Sequence, residues 1–240
     1  MNSNNNLWLR FLLIALIFVH TGCVQKEIAY FSLFDLKGRV KKVTSSRVDV
    51  FKVGDQWKKA NRTIERTAYF FNAKGQILNI EFQSYDSLKK GYILSSSNAY
   101  LYDNKGLIKF TAYYNANGEI DTKFEVTKHD MNGLPIEEKL IEGNSVSLIL
   151  SNYRPDAVER LSYNEDKKLV DKQTKVYDHA QIVTSESLIY FGDTNESNVI
   201  YTKKYSYLKF DKVGNWIERI SMTGDSNEYS YIEEREINYW

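Results

Sequence analysis

Adjacent carboxylates are the side chains of this sequence that come closest to a catalytic arrangement. Glu137-Glu138 and Glu233-Glu234 could supply the acid and base of a glycosidase, which needs two converging carboxyl groups. Neighbouring residues of a strand point to opposite faces, so neither pair converges by itself. Convergence of distant carboxylates stays open, and it would give a glycan-active hydrolase.

Histidines provide little further chemistry. His129 and His179 both lie in or beside predicted turns, and their separation matches no metal-ligand spacing. The sequence also contains no G-x-S-x-G elbow, no P-loop and no H-E-x-x-H motif. It therefore predicts no catalytic residue, no metal and no cofactor, and so a protein that is not an enzyme.

Tyrosines form the most suggestive group. Tyr201, Tyr205 and Tyr207 share one face of a predicted strand, with Lys203 between them. Tyrosines exposed on a rigid sheet can stack on sugar rings or peptides and use the hydroxyl as a polar contact. The same row would also serve as a cross-strand ladder with a structural role. We keep the three tyrosines as a possible ligand-stacking row.

The single cysteine follows an export signal. Residues 1–22 have a polar start, one cation at Arg10 and an apolar run that is too short to span a bilayer. Gly22-Cys23 resembles the lipobox of bacterial lipoproteins, although His20 stands where that family usually has leucine. The resemblance implies cleavage between Gly22 and Cys23 and attachment of palmitate or a similar acyl chain to Cys23. An ordinary secretory signal is the alternative.

Composition excludes several classes of protein. The 32 basic and 31 acidic side chains become equal in number once residues 1–22 are removed, which argues against a nucleic-acid partner. A mean hydropathy of −0.48 excludes a bundle of membrane-spanning helices. With 42% hydrophobic residues and 2 prolines, the chain can fold around a core.

A short turn pattern recurs along the chain: an aromatic, Asp or Asn, two variable residues, Gly, one more residue and an apolar one. Asp or Asn can accept a backbone N–H at the start of such a turn, and glycine takes the left-handed conformation of a G1 bulge. The aromatic and apolar residues can then face each other across two strands. Good copies begin at Phe34, Phe71, Tyr102, Tyr114 and Phe210, a variant at His129, and degenerate copies at Tyr153, Tyr163 and Tyr177.

Segments between these turns alternate apolar and polar residues, as in Thr122-Lys123-Phe124-Glu125-Val126. We therefore predict an all-β fold: a single antiparallel meander of about a dozen strands, curved or barrel-like. A helix from Pro155 to Asp171 is the local alternative to a hairpin. The predicted organisation is a signal peptide at 1–22, a lipidated Cys and short tether at 23–30, and one β-repeat domain at 31–240.

The recurring turn resembles the tyrosine-aspartate (YD) repeat family, also described as RHS-like repeats. FNAKGQI, YDNKGLI and FDKVGNW carry the resemblance. It implies a long antiparallel β-meander, small and curved in short lipoproteins, and no catalytic residues. Trp240 also resembles the terminal aromatic of outer-membrane barrels, but Glu233-Glu234-Arg235-Glu236 places charges on both faces of the last strand.

These features predict a non-enzymatic lipoprotein of the bacterial cell envelope, held on a membrane by its N-terminal lipid. We favour the outer membrane and leave open whether the protein faces the periplasm or the cell surface. Its sheet would act as a binding or scaffolding surface for glycans or for an envelope partner protein, and not for nucleic acid.

Overall fold

The computed structural model of the chain describes residues 36–53, 56–179, 182–191, 197–224 and 229–240. The predicted signal peptide, Cys23 and the first two residues of the copy at Phe34 lie outside the described residues. The fourteen strands are β1 Val40–Val53, β2 Gln56–Phe71, β3 Ile77–Asp86, β4 Gly91–Tyr102, β5 Ile108–Asn115, β6 Ile120–His129, β7 Pro135–Glu142, β8 Ser145–Tyr153, β9 Ala157–Tyr163, β10 Leu169–Tyr177, β11 Val183–Phe191, β12 Ser197–Phe210, β13 Trp216–Thr223 and β14 Tyr229–Tyr239.

All strands belong to one closed antiparallel barrel, in which each strand pairs with its neighbours in the chain and β1 pairs with β14. The closing pair has Val43 opposite Ile237 and Arg47 opposite Glu233. The predicted barrel-like antiparallel meander is thus confirmed, with fourteen strands instead of about a dozen. The segment from Pro155 to Asp171 forms β9 and the start of β10, so the hairpin and not the helix is present.

The repeated turn has the geometry that its residue types predict. In the copy at Tyr102, the Asp103 carboxylate accepts the backbone N–H groups of Lys105 at 2.8 Å and Leu107 at 2.9 Å. Gly106 has a φ of 80°, where a side chain would be strained. The degenerate copy at Tyr163 keeps this shape without glycine, because Lys167 adopts a φ of 60°.

Most copies of the repeat lie on one rim of the barrel. Antiparallel order puts the turns that follow β2, β4, β6, β8, β10 and β12 on the same rim as the start of β1 and the end of β14. Every one of these six turns is a copy of the repeat, so we call this edge the repeat rim. These six copies occupy 71–77, 102–108, 129–135, 153–159, 177–183 and 210–216, whereas the copies at Tyr114 and Tyr163 form turns of the opposite rim.

Side chains connect successive copies around the repeat rim. The Tyr102 hydroxyl donates to the backbone oxygen of Ile77 at 2.6 Å, and Ile77 ends the preceding copy. The His129 ring nitrogen Nε2 lies 2.9 Å from the backbone oxygen of Ile108, in the same relation. His129 thus takes the place of an aromatic because its ring reaches the same kind of acceptor. The aromatic of a copy therefore contacts the neighbouring copy as well as its own partner strand.

The core lies inside the barrel at the repeat rim. Its buried apolar cluster comes from the start of β1, the end of β2 and the start of β3, and Tyr69 and Tyr100 pack against it. The cluster consists of Leu36, Val40, Val43, Phe71, Ile77 and Ile80. At an upper estimate of about 25 cal/mol per Å² of buried apolar surface, such side chains contribute about 1.5 to 3 kcal/mol each.

A candidate binding site inside the barrel

Strand alternation sends one carboxylate of each adjacent pair inward and the other outward, as predicted. Glu138 points inward and lines the interior, whereas Glu137 contacts Lys128 at 2.5 Å. This hydrogen bond from Lys128 lowers the pKa of Glu137. In β14, Glu233 pairs with Arg219 on the inner face, and its neighbour Glu234 forms an ion pair on the outer face.

The interior holds a cavity of about 250 Å³ beside the repeat rim. The volume corresponds to about eight waters at about 30 Å³ each. Three of its lining residues are the last residues of repeat copies, namely Ile77, Ile108 and Pro135. A fourth, Tyr153, begins another copy. The repeat therefore builds the cavity as well as the turns. The remaining lining residues are Asn98, Tyr100, Thr111, Phe124, Glu138 and Arg160.

One ion pair stands in the cavity wall. An Arg160 guanidinium nitrogen lies 3.4 Å from a Glu138 carboxylate oxygen, and these side chains are 38% and 15% exposed, respectively. The register explains the contact, because Arg160 is opposite Ser151 and Glu138 is opposite Ile149 on the shared strand β8. Since Arg160 keeps more than a third of its surface in solvent, a ligand in the cavity can reach its charge.

Burial changes the proton affinities of the cavity groups. Burial raises the pKa of Glu138 even though Arg160 acts in the opposite direction. Burial also raises the pKa of Tyr100 and of Tyr153 to about 12. Both phenols are therefore neutral hydrogen-bond donors at neutral pH. Asn98 also lines the cavity, and its side-chain oxygen is buried without a hydrogen-bond partner.

A second polar cluster occupies the opposite part of the interior, between β12, β13 and β14. The Arg219 guanidinium stacks on Tyr205 at 3.9 Å and on Trp216 at 4.2 Å, and it binds the Glu233 carboxylate at 2.6 and 2.7 Å. Arg235 lies 3.5 Å from the Trp216 ring centre. Burial disfavours the charge of Arg219, but Glu233, Tyr205 and Tyr207 together outweigh burial and raise the pKa of Arg219. The arrangement is a rigid stack of cations and aromatic rings.

The three predicted stacking tyrosines all point into the barrel. Tyr205 donates to Glu186 at 2.9 Å, and Tyr207 donates to the backbone oxygen of Val183 at 2.5 Å. Both are half-buried, whereas Tyr201 is 38% exposed. Burial hinders ionisation of Glu186, yet its contacts, foremost the Lys175 charge, lower its pKa overall. The Tyr201 hydroxyl also lies 3.5 Å from the Thr223 hydroxyl, so all three tyrosines make hydrogen bonds within the barrel, and the ligand-stacking role stays a prediction.

Sequence reasoning did not find Arg160, Arg219 or the cavity itself. Their inward orientation depends on strand alternation, but their partners depend on register between strands far apart in the chain. Among the described residues, no group of three or more His, Cys, Asp or Glu is placed to hold a metal ion. No helix within the described part of the chain is long and apolar enough to cross a membrane. Gly22 and Cys23 lie outside the described residues.

No family model and no curated protein matches the chain. Among solved structures, it is similar to a porin-like protein from Bacteroides uniformis, with a TM-score of 0.48 and 10% identity over 85% of this chain and 98% of the other. A DUF1329 family protein from Desulfovibrio piger has a TM-score of 0.28, with 8% identity over 89% and 90% of the two chains. TcdB2-TccC3-TEV has a TM-score of 0.22 and 11% identity, over 81% of this chain and 13% of the larger one.

Proposed function

We propose that this protein is a non-enzymatic, lipid-anchored component of the bacterial cell envelope whose barrel binds a small glycan unit. The observation that carries the proposal is the interior cavity in which the Glu138–Arg160 pair lies among Tyr100, Tyr153 and Phe124. Aromatic walls suit the apolar faces of a sugar ring, and the ion pair suits its hydroxyl groups.

The size and chemistry of the cavity define the ligand class. At about 250 Å³ the cavity is slightly smaller than the roughly 300 to 1,000 Å³ typical of drug-sized ligands, so one ring fits better than an extended oligosaccharide. Arg160 and the neutral phenols supply donors, while Glu138 supplies acceptors. A neutral polyhydroxy ring uses both kinds of group, whereas a simple anion would use the donors alone.

The cavity favours binding over hydrolysis. A glycosidase needs two carboxyl groups on either side of the scissile bond, and Glu138 is the single carboxylate in the cavity lining. The neighbouring Arg160 also neutralises this carboxylate. Glu186 and Glu233, which lie elsewhere in the interior, pair with Lys175 and Arg219.

Anchoring at Cys23 and membership of the YD-repeat family belong to the same proposal. Cleavage after Gly22 would leave Cys23 as the acylated N-terminus. The outer face supports a barrel that stands in water, because Lys59 and Lys209 both pair there with Glu218. The pair Lys172–Glu159, on β10 and β9, is also external. We place the protein at the outer membrane, with glycans or an envelope protein as partners.

A glycan array probed with purified protein tests the binding proposal. Arg160→Met should remove binding to the recognised sugar, because the cavity then loses its main donor while the alkyl stem remains. Lys172→Met is the matched control, since it breaks an ion pair on the outer face of the adjoining strand. Binding that survives Arg160→Met, or is lost equally in both variants, contradicts the cavity as the site.

Activity assays and lipid labelling test the remaining parts. Release of reducing sugar from the bound glycan, abolished by Glu138→Gln, would contradict a non-enzymatic role.

For the anchor, metabolic labelling with a radioactive fatty acid should mark the parent protein and not Cys23→Ser. Equal membrane recovery of the parent protein and Cys23→Ser, without label in either, would contradict lipidation.

A further inference from the structure

An exposed aromatic and apolar surface lies where the two ends of the barrel meet. Phe210 and Val213 from the β12–β13 turn are each 46% exposed, and Tyr239 and Trp240 after β14 are 37% and 54% exposed. We call these four residues the seam patch. All four belong to the repeat rim, because that turn and the end of β14 lie on it.

Hydrogen bonds and packing hold the seam patch in one shape. The Trp240 backbone N–H donates to the Arg39 oxygen at 3.0 Å, and the Tyr239 hydroxyl donates to Asp211. A Cβ placed on Gly38 would lie 3.1 Å from the Val213 side chain, so the start of the barrel and the turn are in close contact. The patch is therefore part of the rigid barrel seam.

Lysines surround the aromatic residues. The Lys41 ammonium lies 5.0 Å from the Trp240 ring centre, and the Lys37 side chain reaches beside Gly214. Lys212, at the tip of the turn, is exposed. The Asp211 carboxylate is engaged by Tyr239 and by turn N–H groups. Tryptophan and tyrosine bordered by lysine are the combination that prefers the headgroup region of a bilayer.

The position of the chain start points to the same occupant. Leu36, the first described residue, packs into the core at the repeat rim. Twelve residues separate it from Cys23, which limits the connection to at most about 45 Å. The connection from a lipid on Cys23 would therefore enter the barrel at the rim that carries the seam patch.

We propose that the seam patch docks on the bilayer and places Phe210, Val213, Tyr239 and Trp240 among the lipid headgroups. The proposal rests on the lipid anchor of the proposed function for its orientation. Its chemistry, aromatic rings with flanking lysines, commits it to a phospholipid surface with anionic headgroups. A second copy of this chain is the competing occupant.

Vesicle binding without the anchor separates the two proposals. The chain from residue 23 onward, carrying Cys23→Ser, is sedimented with vesicles of phosphatidylethanolamine and phosphatidylglycerol. We expect measurable binding that falls about tenfold with Phe210→Ser and Trp240→Ser together, because two large side chains no longer enter the interface. Leu88→Ser with Ile120→Ser, at 93% and 60% exposure on the opposite rim, is the matched control and should change nothing.

A fluorophore gives a readout that does not depend on the stability of those variants. In the Cys23→Ser background, a label on Val213→Cys should be quenched by lipids with a quencher near the headgroups, and a label on Leu88→Cys should not. Absence of binding, or equal quenching of both labels, overturns the docking proposal. Self-association without lipid that Phe210→Ser and Trp240→Ser abolish would instead assign the patch to a second copy. Failed fatty-acid labelling with intact vesicle binding would overturn the anchor alone.

Discussion

Asn215 and Lys37, 178 residues apart, exchange two hydrogen bonds that close the barrel at the repeat rim. The Lys37 N–H donates to the Asn215 oxygen at 2.5 Å, and the Asn215 amide donates to the Lys37 backbone oxygen at 2.9 Å. Asn215 is 1% exposed. It joins the first and last copies of the repeat, and therefore ties the chain before β1 to the turn between β12 and β13.

Asn215→Ala should destabilise the barrel by about 2 to 4 kcal/mol, because two backbone groups of Lys37 lose their partner in a part-buried place. Urea unfolding monitored by circular dichroism measures the change. Asn104→Ala, at an exposed tip of another copy, should stay within about 0.5 kcal/mol. Equal effects of the two variants would show that Asn215 contributes no more than a turn residue.

The sequence was sufficient for the turns and the fold class because both depend on local chemistry. The turn positions of Asp103 and Gly106 need a side-chain acceptor and a positive φ, respectively, and few other residue types meet these needs. The recurrence of these residue types therefore identifies hairpins. The placement of six copies on one rim, and of the copies at Tyr114 and Tyr163 on the other, follows from counting strands, but the count requires the hairpins whose turns have other sequences. The partner of Asn215 could not be predicted, because nothing in a local pattern specifies which turn the chain start will meet.

Lys167→Gly should stabilise the protein by about 0.5 to 1 kcal/mol. Lys167 has a φ of 60°, which strains a residue with a Cβ, and the gain is partly offset by the greater freedom of glycine in the unfolded chain. The measurement is the shift in the urea midpoint at unchanged slope. Gly106→Ala is the reciprocal control and should destabilise, since its φ is 80° and the new Cβ would lie 3.0 Å from Gln76. A neutral Lys167→Gly would contradict strain at this turn.

Asp103→Asn should remove a part of the acid sensitivity of the barrel. Backbone hydrogen bonds, first from Leu107, lower the pKa of Asp103 below 3.8, so its ionised form stabilises the fold above that pH. This contribution is lost as the pH falls through the lowered pKa. Asparagine keeps the acceptor oxygen without the titration. Thermal unfolding at pH values from about 6 to about 3 should therefore show a shallower loss of Tm in the variant.

Asn72→Asp provides the reverse experiment. Asn72 accepts the backbone N–H groups of Lys74 and Gln76 at the same position of its own copy. Aspartate there should retain the turn and add acid sensitivity. If Tm fell equally with pH in the parent protein, Asp103→Asn and Asn72→Asp, the result would contradict a turn carboxylate whose titration affects stability.

Arg219→Met should cost about 3 to 5 kcal/mol, because it leaves the Glu233 carboxylate without its partner inside the barrel. Arg219→Met combined with Glu233→Leu should recover most of that loss, since no unpaired charge remains. A double-mutant cycle from urea unfolding measures the coupling, with Arg160→Met and Glu138→Leu as the matched pair at the more exposed cavity. Additive effects of Arg219→Met and Glu233→Leu would contradict the coupling.

Neither Arg219 nor Arg160 could have been assigned to its partner from the sequence. Alternation places each side chain on the inner face, but the contact between Arg219 and Trp216 spans β-bulges that shift the register between β12 and β13. Bulges depend on the packing of the whole interior and have no reliable local signature. The face of the sheet on which each charged residue lies was thus predictable, whereas the side chains that contact it were not.

The hydrogen bonds between copies also govern how such a barrel can change in size. From Ile77 to Tyr102 the chain crosses to the far rim and returns, and the contact between these residues requires that whole excursion. Inserting or deleting one excursion preserves every contact of this kind and alters the strand number by two. Duplication of such a two-strand unit would widen the interior in discrete steps, and each step would add two strands with inward-facing side chains. The hydrogen bonds between copies along the repeat rim would stay the same.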